Sequence, residues 1–157
     1  MIIISPYSRK LRSGVSPNPK DYPYWNELIK LILIKYPETK IIQVGIDGEE
    51  KLENTEIKFN LPLKELKNLI NECDIWISVD NFFHHLGSYM GKKGIVLFGQ
   101  SDPKIFGNSN NINLLRDRKY LRENQFDFWE NAKVIPKSFV SPENVLRVLE
   151  KFFMKNK

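Results

Sequence analysis

The sequence predicts an α/β fold: one parallel sheet, doubly wound, with helices on both faces. Three observations carry this. Short, almost wholly apolar runs at Ile2–Ser5, Asp74–Val79 and Gly94–Phe98 suit strands buried on both sides. The segments between them space their apolar residues at helical intervals. Two polar clusters, Asp80–His85 and Gly99–Pro103, fall where apolar runs stop. In such sheets ligands bind beyond the carboxyl ends of the strands, so these clusters mark a candidate site.

Ile2–Ser5 is the first strand, and Pro6–Pro23 a polar loop in which Arg9, Lys10, Arg12 and Lys20 are opposed only by Asp21. Tyr24–Tyr36 is a helix with Trp25, Leu28, Ile29, Ile32 and Tyr36 on one face, ended by Pro37. Lys40–Ile46 is the second strand and closes on the turn Gly45–Glu50. A short extended piece at Ile57–Phe59 leads to Pro62 and a helix through Cys73, with Leu63, Leu66, Leu69 and Ile70 inward. Asp74–Val79 is a strand, Phe82–Met90 a helix and Gly94–Phe98 a strand. Ile112–Leu115 is a further strand, and Arg116–Lys133 is irregular. Ser141-Pro142-Glu143 opens a last helix with a capping hydroxyl, a proline at the first position and an acid in the first turn. The order βαβαβαβ plus a terminal helix makes residues 1–157 a single Rossmann-like domain.

With 157 residues, 41% hydrophobic and 27% charged, the chain is one domain with a real core. A net charge of +5 accommodates an anionic partner without singling one out. Cys73 has no partner for an internal disulfide and reads as a buried structural thiol. No apolar run approaches the ~20 residues of a membrane span, and Met1–Ile4 lacks the features of a signal peptide, so a cytoplasmic location is expected.

Asp80 and Asn81 are favoured helix caps. The helix they open presents free N–H groups and partial positive charge, which suits a diphosphate. A carboxylate facing that site would compete with phosphate, so Asp80 reads as an organiser of the loop, with Asn81 and the backbone touching ligand. His84 and His85 are adjacent, which on a helix turns them about 100° apart. With no further histidine and no zinc-type spacing, no metal or cofactor is expected. His84 reads as structural. Gln100 and Ser101 sit in a turn at a strand end, Ser101 being the better contact. The basic loop after the first strand opens at the same edge. There is no GxGxxG and no GxxxxGK[ST].

Asp80, His85, Leu86, Gly87, Gly91, Lys92, Leu97, Phe98, Gly99, Ser101 and Pro103 together resemble the donor-binding half of the heptosyltransferase-like glycosyltransferases. These form glycosyltransferase family 9, of the two-domain GT-B type. The family usually has Asp-Ser/Thr-Gly where this chain has Asp80-Asn81-Phe82, and Pro where Lys93 stands. The resemblance implies half of a GT-B fold and a nucleotide-diphosphate sugar as substrate. It implies that His85, with Asp80, serves the departing diphosphate. It also implies that the first loop supplies a hydroxyl and a basic group to the phosphates, from Ser5, Ser8, Arg9, Lys10 and Arg12. Glu49 or Glu50 would hold the ribose. Two-domain relatives are about twice this length, so a partner chain or a homodimer would complete the enzyme. Two rival readings are a non-catalytic nucleotide- or partner-binding module, and a transferase acting on a hydroxylated DNA base. The basic segments Arg9–Lys20 and Arg116–Arg122, with Tyr120, Phe126, Phe128 and Trp129 nearby, are compatible with nucleic acid.

Overall fold

The computed structural model describes residues 1–155. Six strands form one sheet: β1 (Ile2–Ser5), β2 (Ile41–Gly45), β3 (Glu56–Phe59), β4 (Ile75–Val79), β5 (Gly94–Phe98) and β6 (Ile112–Leu115). Every pairing is parallel and the order is β3-β2-β1-β4-β5-β6. The doubly wound parallel sheet expected from the apolar runs is the observed fold. It carries two strands beyond the βαβαβαβ core, one at each edge. β3 and β6 bury only part of their side chains, because each has a neighbour on one side alone.

The three central strands β1, β4 and β5 are buried at every position. Their alternate side chains feed two separate cores. Ile2, Ile4, Ile75, Ile77, Ile95 and Leu97 pack beneath α1 (Trp25–Lys35) and α5 (Pro142–Lys155). Ile3, Trp76, Val96 and Phe98 pack beneath α2 (Leu63–Glu72) and α3 (Phe82–Tyr89). Leu63, expected to face inward, is exposed at the first position of α2, while Leu66, Leu69 and Ile70 do face the core. At the start of α5 the Ser141 hydroxyl accepts from the Asn144 amide at 3.4 Å.

The turn formers Ser101-Asp102-Pro103 open a short helix, α4 (Pro103–Phe106), rather than ending in a loop. Asp102 accepts from the Lys104 amide at 2.9 Å, and Arg118 clamps the same carboxylate in a bidentate pair at 3.0 and 2.7 Å. That pair ties α4 to the segment that follows β6. There, short 3-10 turns at Arg118–Tyr120, Trp129–Asn131 and Pro136–Ser138 give the irregular stretch its shape.

Candidate functional site

From β1 the chain winds towards β2 and from β4 towards β5, so a crevice opens beyond the carboxyl ends of β1 and β4. A cleft of about 630 Å3 occupies that edge. Its middle is built by two loops. Asn81 caps α3 by accepting from the Phe83 amide at 2.9 Å, and Ser78 donates to the same Asn81 oxygen at 2.9 Å. The Asn81 amide then donates to Ser5 Oγ at 2.9 Å and to the Tyr7 carbonyl at 3.0 Å. Ser8 Oγ donates to the Asp80 carbonyl at 3.3 Å, and the Ser8 amide donates to Asp21 at 2.7 Å. The loop after β1 is thereby fastened over the start of α3.

Into this frame point three groups able to meet an anion: Arg9, Lys20 and His85. Lys20 Nζ lies 3.5 Å from Asp80, whose other oxygen is 3.2 Å from Nε2 of the fully buried His84. Burial pushes the Asp80 carboxyl upward. The His84 hydrogen bond, the Lys20 and His84 charges and the Ser101 hydroxyl together outweigh it and hold the group below the usual carboxylate range. Asp80 is thus an ionised organiser already supplied with partners. His85 is exposed to the cleft. Burial, then His84 and Lys20, lower its pKa, against the opposing pull of Asp80. Asn108 Nδ2 stands 3.4 Å from His85 Nδ1, and a bond donated by that amide would place the ring proton on Nε2.

Towards β2 and β3 the cleft changes character. Val44, Ile46, Leu61 and Leu66 form an apolar end, with Glu49, Lys58 and Asn60 beside them. Glu49 folds back over the end of β2 so closely that a Cβ on Gly45 would sit 2.0 Å from its carboxylate oxygen. A side chain at that position would push the acid out of this pose. Burial raises the Glu49 pKa, the Ile46 backbone and Lys10 opposing it.

Of the residues singled out in the sequence, Ser5, Ser8, Arg9, Glu49, Asp80, Asn81 and His85 line one cleft. Five others are differently placed. Glu50 lines a neighbouring groove, where its carboxylate accepts from the Tyr7 hydroxyl at 3.4 Å. Lys10 lies in an adjoining groove with Phe128 and Glu130, its ammonium against Gly48. Gln100 and Ser101 are buried behind the cleft. Gln100 donates to the Lys133 carbonyl at 2.7 Å and accepts at its own carbonyl from the Arg122 amide at 3.1 Å. Arg12 covers the Phe128 ring at 5.8 Å. Asn81 does line the cleft, but its carbonyl and amide serve the loops. Sequence reading passed over Lys20, Lys58, Asn60 and Trp129 as site residues. Lys20 belonged to a visibly basic loop, whereas nothing in sequence ties Trp129 to residues 40 to 120 positions earlier.

The two histidines do not diverge as helical spacing suggested. Their ring centroids are 3.7 Å apart, and Asp80, His84 and His85 bring ligating atoms within 4.8 Å of one another. Among the described residues this is the one grouping with metal-binding composition. The two ring planes are tilted by 41°, and Lys20 Nζ lies 3.5 Å from the Asp80 carboxylate of this group.

A sequence model of glycosyltransferase family 9, the heptosyltransferases, matches residues 20–131. The chain belongs to this family. No curated protein gives a significant sequence match. Among solved structures, this family 9 chain resembles E. coli heptosyltransferase WaaC, solved with ADP, at 16% identity and a TM-score of 0.65. The match covers 96% of this chain and 43% of WaaC. TibC, a dodecameric iron-containing heptosyltransferase of E. coli solved with ADP-D-β-D-heptose, matches at 15% identity and a TM-score of 0.73, over 99% of this chain and 45% of TibC. E. coli ADP-heptose heptosyltransferase II matches at 12% identity and a TM-score of 0.66, over 99% and 46%. The family 9 chain therefore spans less than half the length of each of these proteins, and the fold it shares with them is half of a GT-B fold. No helix among the described residues is long and apolar enough to cross a membrane.

Proposed function

We propose that this family 9 chain binds a nucleotide-diphosphate sugar in the cleft and acts as the donor half of a glycosyltransferase. The observation that carries the proposal is the convergence of Arg9, Lys20, His85 and the start of α3 on one cleft whose far end is apolar and carries Glu49. A nucleoside suits that far end, with its base against Val44, Ile46, Leu61 and Leu66 and its ribose hydroxyls on Glu49. The diphosphate then lies over the cations. In the reaction an acceptor hydroxyl oxygen bonds the anomeric carbon as that carbon's bond to the diphosphate oxygen breaks. The leaving oxygen gains negative charge, which Lys20, Arg9, the first amides of α3 and the His85 Nε2 proton stabilise. The hydroxyl proton goes to a base on the acceptor side, and a separate chain or a second copy would supply that side. Lys20 serves where a metal would otherwise balance the phosphates, so the reading needs no cation, and its setting would be the cytoplasm.

No observation favours nucleic acid as acceptor, and Arg12 already covers the Phe128 ring. The non-catalytic module is separated by measurement. Calorimetry at low salt with ADP, ADP-heptose and a panel of other nucleoside diphosphates should show binding that Lys20→Met weakens. Absence of any such binding removes the donor reading. Binding without transfer, even with candidate partner chains present, leaves the module.

A further inference from the structure

We propose that Trp129 is the platform on which the glycosyl ring of the donor stacks, and that Arg122 is the positioning residue that fixes the plane of its indole. The inference rests on the nucleotide-sugar reading above and adds the subsite for the transferred group. The cleft has a direction. Its apolar end with Glu49 belongs to β2 and β3, its cations and α3 belong to the β1–β4 crevice, and Trp129 arrives from the segment beyond β6. Lys20 Nζ lies 5.6 Å from the Trp129 ring centroid, so the indole borders the point where phosphates would be held. Past the phosphates, the next group of a nucleotide sugar is the sugar.

The ring is also built into place. The Arg122 guanidinium stands 4.1 Å from the Trp129 centroid, and only 8% of the arginine side chain is exposed. Its Nη2 donates to the Phe128 carbonyl at 3.3 Å and lies 3.8 Å from Asp127, while Nη1 is buried with no protein partner. Gln125 donates to both the Arg122 and Gln100 carbonyls, at 2.8 and 3.0 Å, anchoring the turn to the end of β5. A tryptophan serving merely to cover surface would not need a desolvated arginine behind it. An indole held this way offers a preorganised apolar face to the C–H face of a pyranose.

The other two tryptophans, Trp25 and Trp76, are buried in the core, so fluorescence changes on ligand addition report on Trp129. The test compares ADP with ADP-heptose, by calorimetry and fluorescence, on the wild type, Trp129→Ala, Trp129→Phe and Arg122→Met. ADP-heptose should quench the wild type more than ADP does. Trp129→Ala should weaken ADP-heptose about tenfold and leave ADP within about twofold, the difference of one small apolar face. Trp129→Phe should recover part of the loss, and Arg122→Met should fall between with a smaller quench. Equal loss for both ligands would move the ring to the nucleotide and overturn the proposal, as would no loss for either. A wild type that binds ADP, with Trp129→Ala leaving its preference between the ligands unchanged, defeats this inference alone. A wild type that binds neither defeats the donor reading with it.

Discussion

Asn81 Nδ2 donates to Ser5 Oγ at 2.9 Å, joining the ends of two adjacent strands that are 76 residues apart in the chain. The same side chain caps α3 with its oxygen, so one amide both starts the helix and holds the loop over it. Asn81→Ala should cost about 1–2 kcal/mol for the cap and its bonds. Asn81→Asp keeps an oxygen for the cap but turns a second oxygen towards the carbonyls of Ser5 and Tyr7. It should be at least as destabilising and should weaken nucleotide binding. Denaturant melts in which Asn81→Asp matches the wild type would show that the amide clamp is dispensable.

His84 and His85 should separate stability from binding. His84 is fully buried and hydrogen-bonds Asp80, so His84→Ala should cost about 2–4 kcal/mol through a cavity and the loss of one of the carboxylate's partners. His85→Ala should change stability by about 0.5 kcal/mol or less, as expected for an exposed side chain. It should slow transfer about a hundredfold by removing a donor to the leaving oxygen. A full rate in His85→Ala would assign the diphosphate to Lys20, Arg9 and the helix alone.

The lowered pKa of His85 gives that role a pH signature. A bound diphosphate raises the imidazole pKa, so binding takes up a proton. Affinity for ADP should grow as pH falls through the bound-state pKa and level off below the free-state one. In His85→Ala that component of the pH dependence should vanish. Calorimetry in buffers of different ionisation enthalpy reads the proton uptake directly.

Asp21 predicts a slope in stability. Burial raises its carboxyl pKa to about 6 despite bonds from the Ser8 and Asn18 amides. Between about pH 4 and 6 the unfolded chain has released this proton and the folded chain still holds it, so stability falls as pH rises through that window. The loss should be on the order of 1–2 kcal/mol. Asp80 acts below this range: its lowered pKa contributes stability that is in place above about pH 4 and lost on further acidification. Thermal melts from pH 3 to 7 should show both limbs, and Asp21→Asn should flatten only the upper one.

Gly94→Ala tests the core beneath the site. A Cβ at the first residue of β5 would stand 2.1 Å from the Trp76 indole, which is wholly buried and donates to the Lys92 carbonyl at 3.0 Å. The ring has nowhere to retreat, so the variant should lose 3 kcal/mol or more, about the upper range for overpacking. Gly91→Ala, with open space around it, should cost only the strain of its positive φ. Comparable melting of the two would show that the Trp76 site can repack.

The sequence by itself determined the sheet, its central strands and the edge where the site opens. Unbroken apolar runs cannot be half-solvated strands, and parallel strands must end at one edge. It also determined the caps at Asn81 and Ser141, because capping is a bond between near neighbours in the chain. The family was legible in residues 80–103, where spacing and residue type survive without long-range information. Only the tertiary structure decided which polar residues at that edge face the cleft. Ser101 and Gln100 look like loop contacts because serine and glutamine so often are, yet both are buried, Gln100 beneath the Arg122–Gln125 segment. Lys20 joins the cleft lining only because Asp80 stands 3.5 Å away, and Trp129 only because a turn beyond β6 folds back over the first loop. Local sequence encodes local bonds and burial. Convergence of side chains dozens of residues apart depends on where loops of no periodic pattern come to rest.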